Sequence, residues 1–145
     1  FEWSVRVEPE SIVYGSIRDW PSADAEEGRR RRELNRRALD NLPQGEGWPF
    51  IGREMFSSCS GDGLYQTQVI HFGMSYRAVE YEWEHWIAKF ESLLKNMYWV
   101  NAVVHLETEL SGFRTFVWDS AEVCHEPSEA PLRVRCEWAR EGAIS

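Results

Sequence analysis

Cysteine is scarce in this chain. Three residues in 145, Cys59, Cys124 and Cys136, stand far apart with no CxxC pair among them. That spacing signals neither a disulfide framework nor a zinc knuckle. The thiols read as reduced and buried, with one bridge left open between Cys124 and Cys136 should a hairpin or loop bring them together. Long apolar runs are missing too: none approaches the roughly 20 residues that a membrane-spanning helix requires. The opening residues, Phe1-Glu2-Trp3-Ser4-Val5-Arg6-Val7, have neither the positive start nor the apolar stretch of a signal peptide, so a cytoplasmic location and no membrane partner are expected. Basic side chains are also in short supply. Sixteen stand against 24 acids, giving a net charge of -8. A chain so charged repels a phosphate backbone, which excludes a general nucleic-acid binder and favours a basic partner. Residues 1–50 carry a net charge of -2 and residues 51–145 carry -6, so the acid excess belongs to the second half.

What the chain does have is apolar and aromatic mass: 43% hydrophobic residues, with eight Trp, five Tyr and seven Phe. This excludes a disordered chain, and the length suits one domain over residues 1–145. Phe1, Trp3, Val5 and Val7 alternate with polar residues as a half-buried strand ending at Pro9. A second short strand follows at Ile12–Ile17. Asp19-Trp20-Pro21-Ser22 opens a helix over Ala23 to Asn41, stopped by Pro43. Leu34, Ala38, Leu39 and Leu42 share its apolar side. Its four consecutive arginines, Arg29 to Arg32, are interleaved with glutamates at pairing distance and read as a solvated face. Loops at 44–49 and 57–63 precede a strand at Leu64–Phe72.

The strongest periodicity comes next. Val79, Trp83, Trp86, Ile87, Phe90, Leu93, Leu94 and Met97 recur every three or four residues, which predicts a helix from Tyr76 to Met97 with Ser75 as its N-cap. Glu80, Glu84 and Glu91 lie off that stripe and form an acidic ridge, with Glu91 placed to pair with Lys95. From Tyr98 to Thr108 the period switches to two, and Phe113–Trp118 repeats the composition, which predicts a hairpin. Setting Glu107 opposite Arg114 for charge match places His105 opposite Phe116 and Val103 opposite Trp118. Val100, Ala102, Val104 and Leu106 then face the helices. Trp99, His105, Glu107, Phe116 and Trp118 face outward. A last strand spans Leu132–Trp138. The order ββα-βαβββ predicts an α+β fold, a two-layer sandwich of a mostly antiparallel sheet with two main helices on one face.

The chemistry-bearing residues do not assemble into a catalytic signature. Cys124-His125 is the only close pair of metal-ligand types, and neighbours in an extended segment point opposite ways, so no metal and no cofactor is expected. Cys59 sits among serines in a glycine-rich loop that fits no nucleophile pattern. His71 and His105 could meet on an open sheet face, with Glu107 to orient a proton transfer.

With its acidic helix Glu80, Glu82, Glu84 and Glu91 beside the aromatic hairpin, the segment Tyr76–Trp118 resembles the immunity proteins of bacterial toxin systems, small acidic tryptophan-rich α+β domains. The resemblance covers less than a third of the chain. It implies a non-enzyme that binds a cognate toxin, often a basic nuclease, and blocks its active site with acidic and aromatic side chains. On this chain the contacts expected are Glu80, Glu84, Glu91, Trp99, His105, Glu107 and Trp118, with Asp62 and Tyr65 from the loop region. Two other readings stand beside it: a small-molecule-binding or regulatory domain with a cleft near Trp99 and Trp118, and a small enzyme using His71, His105 and Glu107.

Overall fold

The computed structural model describes residues 9–21, 24–43, 47–58, 67–110, 112–120 and 124–138. Along the chain run β1 (Glu10–Asp19), α1 (Ala25–Asp40), β2 (Phe56–Ser58), β3 (Gln68–Arg77), α2 (Trp83–Leu94), β4 (Asn101–Thr108), β5 (Gly112–Asp119) and β6 (Arg135–Trp138). The six strands form one antiparallel sheet in the order β2-β3-β1-β4-β5-β6. Leu39 of α1 and Trp86, Phe90, Leu93 and Leu94 of α2 share a single core with Val13, Ile17, Ile70, Phe72, Val104 and Trp118. Both helices therefore cover the same face of the sheet, the two-layer α+β arrangement expected. The strand expected at Phe1–Val7 lies outside the described residues.

β1 is longer than its apolar pattern suggests and holds the centre of the sheet. Ser11 pairs with Tyr76 on one side and Thr108 on the other, and Arg18 with Val69 and Asn101. Gly15 is required there. A Cβ at that position would run into the main-chain carbonyl oxygen of Val103 and, at 2.9 Å, the Phe72 ring. Glycine alone lets β4 close on β1.

α1 begins at Asp24, whose carboxylate accepts the Glu26 N–H at 2.9 Å, and Glu26 and Glu27 complement the positive end of the helix. Its exposed arginines pair locally: Arg30 with Glu27 at 2.8 Å, and Arg36 with Glu33 at 2.6 Å and Asp40 at 3.2 Å. Such pairs at the surface contribute little to stability. Arg31 differs from them. It reaches inward to Asp19, which is only 4% exposed, and its guanidinium lies 4.8 Å from the centre of the Tyr98 ring. Asn35, 1% exposed, fixes α1 to the chain entering β4, donating to the Tyr98 carbonyl at 3.0 Å and accepting the Tyr98 N–H at 2.8 Å.

The second helix starts later than its stripe predicts. Tyr76 and Arg77 belong to β3, Ala78 turns the chain with φ 54°, and a 3-10 turn over Val79–Glu82 leads into α2 at Trp83. Strand pairing overrides helix periodicity here, because Ile70, Phe72 and Tyr76 are buried on one face while His71, Gly73, Ser75 and Arg77 point away. Ser75 is not a cap: its hydroxyl donates to Glu10 at 2.5 Å across the β1–β3 pair. Of the strand expected at Leu64–Phe72, β3 contains Gln68 onward, and residues 64–66 lie outside the described residues. The segment expected as loop at 57–63 begins as β2, which lies at one edge of the sheet.

The hairpin forms with a register one residue away from the charge-matched one. Glu107 lies opposite Phe113, His105 opposite Thr115, Val104 opposite Phe116 and Ala102 opposite Trp118. Thr108 pairs with Gly112, whose φ of 85° suits glycine. A single-residue slip turns every side chain of a strand over. Phe116 and Trp118 therefore join Val104 and Ala102 beneath the helices, and only the β4 half of the outward set holds. The last strand is confined to Arg135–Trp138, and Cys124 and Cys136 are both free thiols.

Candidate functional site on the uncovered sheet face

The face of the sheet away from the helices carries a compact polar and aromatic cluster. Tyr14 of β1, His105 of β4 and Thr115 of β5 make one row across three strands, and Ile12, Glu107 and Phe113 make the next. The Tyr14 hydroxyl donates to Glu107 Oε2 at 2.6 Å. The His105 ring lies 4.9 Å from the Tyr14 ring and stacks on Phe113 with 5.6 Å between centroids and 13° between planes. Its Nδ1 is 2.9 Å from Thr115 Oγ1. Around the cluster stand Glu10, Asp119 and Glu137, with Arg135 donating to Asp119 at 2.7 Å and to Glu137 at 3.1 Å.

Electrostatics fixes the state of these groups. Burial, then the hydrogen bond and charge of Glu107, pushes the Tyr14 phenol up to about 12, so it stays a proton donor through the neutral range. Burial holds His105 below the ordinary 6.5 despite the nearby Glu107 charge, so its ring is neutral at pH 7. The Arg135 hydrogen bond keeps the Asp119 carboxyl below the usual range. At neutral pH the face thus presents aromatic surface around Glu107, with a rim of mixed charge in which Arg18, Arg77 and Arg135 stand among Glu10, Asp119 and Glu137.

These shifts predict how stability depends on pH. His105 is depressed in the folded state, so its contribution is complete above pH 6.5 and is lost as the pH falls through the lower folded value. Tyr14 and Tyr76 are both raised to about 12, so their contribution is complete below pH 10.0 and is lost between 10.0 and about 12. Urea midpoints across the pH range should show a plateau bounded by those two limits. With Tyr14→Phe the alkaline fall should become shallower; an unchanged profile would place the titration elsewhere.

The remaining residues singled out by sequence are distributed differently. His71 is on the uncovered face, opposite Ser16, but β1 lies between β3 and β4. His71 and His105 are therefore not neighbours, and Tyr14 occupies the place beside Glu107 that the proton-transfer arrangement assigned to a histidine. The acidic ridge is broken up. Glu80 belongs to the 3-10 turn and accepts the Ser11 hydroxyl at 2.5 Å, Glu91 accepts the Trp118 indole N–H at 2.8 Å, and Glu84 remains exposed on the first turn of α2. Trp99 and Trp118, 1% and 0% exposed, are core residues rather than partner contacts. Trp99 stacks on His125, 4.7 Å away, and donates its indole N–H to the Leu94 carbonyl at 2.8 Å. Asp62, Tyr65 and Cys59 lie outside the described residues.

Tyr14 and Phe113 are the contributors that the sequence reading missed. The signal was present for Tyr14, since Ile12, Tyr14, Ser16 and Arg18 alternate with Ser11, Val13, Gly15 and Ile17. Phe113 needed the correct hairpin register. Trp99 and Trp118, beside which a cleft is expected, are packed in the core. A groove of about 590 Å3 opens instead on the helical side, between the end of α1, α2 and the chain around Phe50. Among the described residues no three His, Cys, Asp or Glu side chains gather as a metal site, and no helix is long and apolar enough to cross a membrane.

The described residues define a two-layer α+β domain in which both helices lie on one face of the sheet and none of the described helices covers the other. No family model, curated protein or solved structure matches the chain.

Proposed function

We propose that this protein is a binding inhibitor that receives a basic partner protein on the uncovered face of its sheet and occludes that partner's active site, in the manner of the immunity proteins of bacterial toxin systems. The observation that carries the reading is the Tyr14–His105–Phe113 cluster with the Glu107 carboxylate bound to Tyr14, in a chain of net charge -8. Negative charge steers a basic partner and accelerates encounter. Rigid aromatic side chains at the middle of a contact supply most of the binding energy. Tyr14 and Glu107 combine the two roles, because their hydrogen bond holds both side chains in place before the partner arrives. Glu84, on the opposite layer, contributes to the long-range field rather than to the contact.

The test is capture with the tagged protein from its native host at low and moderate salt, repeated with Tyr14→Ala and Glu107→Lys. One basic protein should be retained by the wild type and released as salt rises. Tyr14→Ala should weaken its binding by roughly 30-fold, as expected for a hot spot of about 2 kcal/mol. The captured protein's own activity should fall when the wild-type chain is added. A partner held equally by both variants, or one whose activity is unaffected, would remove the proposal.

A further inference from the structure

We propose that the groove on the helical side is a second, independent site that binds a small amphipathic carboxylate, an apolar body with one anionic head. Its volume of about 590 Å3 lies within the range of small-molecule sites, about 300–1,000 Å3. Its apolar lining comes from Leu34, Ala38 and Leu42 at the end of α1, Leu93 of α2, and Phe50 with Ile51 from the chain preceding β2. Such a lining favours an apolar ligand body.

The head group is selected by charge. Among the described residues the groove is lined by two cations, Arg37 and Lys89, and by no acidic side chain, in a protein whose net charge is -8. Lys89 is half-buried, and its ammonium donates to the neutral carbonyls of Pro49 at 2.7 Å and Gly47 at 3.4 Å. Both acceptors are neutral, so the charge of the ammonium is not cancelled. Arg37 is exposed and shares Glu33 with Arg36. Both helices end beside the groove, and free C-terminal carbonyls would oppose an anion. Here they are partly occupied: the Asn41 N–H caps Arg37 and Leu39, and the Lys95 N–H caps Glu91 and Leu93. Asn41, Ser92 and Asn96 add neutral hydrogen-bonding groups at the rim.

Titration calorimetry with decanoate and with decyltrimethylammonium, each below its micelle concentration, tests the proposal. Decanoate should bind at a single site, at least tenfold tighter than the cation of equal chain length. Ala38→Phe, which fills the groove, should abolish the binding. Lys89→Met, which keeps the stem and removes the charge, should weaken decanoate about tenfold and leave the cation unchanged, and it provides the reading should Ala38→Phe fail to fold. Equal binding of both probes, no binding of decanoate, or decanoate binding undisturbed by Lys89→Met would each overturn the proposal. None of these outcomes depends on Tyr14, Glu107 or a partner protein, so this site and the sheet face stand or fall separately.

Discussion

Replacing Arg31 with leucine should cost about 3–5 kcal/mol, the range for breaking a buried ion pair by removing one partner. Asp19, 4% exposed in the structure, would lose both guanidinium donors and keep, among the described residues, the Trp20 N–H at 2.9 Å. The guanidinium now meets Asp19 through two nitrogens while lying against the Tyr98 ring. One substitution thus removes the charge partner, two donors and a packing surface. Thermal unfolding should show a fall in Tm of roughly 10–20 °C for a domain of this size. A double variant, Arg31→Leu with Asp19→Asn, should recover part of the loss, because the stranded charge accounts for much of it. A fall of under about 1 kcal/mol for Arg31→Leu would show that water reaches Asp19.

Trp118→Ala should be comparably damaging, at about 3–5 kcal/mol. Trp118 is fully buried, its ring lies 5.2 Å from Phe90, and Phe90 in turn contacts Phe72 at 5.3 Å and Trp86 at 5.1 Å. These rings join α2 to β3 and β5, so a void there cannot be closed by moving one side chain. The indole N–H also satisfies Glu91. Trp118→Phe separates the two effects: it keeps much of the packing and removes the donor, and should cost nearer 1 kcal/mol from the hydrogen bond itself, plus a smaller packing loss. Urea denaturation of both variants measures the difference. Equal losses would assign the whole effect to the Glu91 bond.

The stripe of α2 was readable because Trp86, Phe90, Leu93 and Leu94 obey the helical period and are all buried. The start of that helix was not, since the signals compete over Tyr76–Glu82: the apolar spacing continues while the pairing of β3 with β1 runs on to Arg77. Long-range pairing has no local signature. The hairpin shows the same limit. Its two strands are plain in composition, but the Glu107–Arg114 match points to the wrong register. Gly112 at φ 85° and the burial of Phe116 and Trp118 decide the true one. That one-residue difference turns Phe116 and Trp118 from the binding surface into the core and brings Phe113 to the outer face. His105 and Glu107 were placed on the correct face because β4 alternates cleanly on its own. The half-buried Arg31 is the exception in a run whose other members behave as a solvated face, and its contact with the buried Asp19 distinguishes it.

The central place of β1 has a consequence during synthesis. Its two neighbours in the sheet lie at residues 68–77 and 101–108, so both of its hydrogen-bonding edges leave the ribosome long before either partner. Loop closure over such separations slows folding, and an unpaired strand with two open edges invites pairing with the wrong chain. Val13 and Ile17 are the apolar residues exposed in that interval. Ile12, Tyr14, Ser16 and Arg18 on the opposite face are mixed in character, so the nascent strand is sticky on one side only. The interval ends when β4 arrives, because β1 then has a partner on each edge.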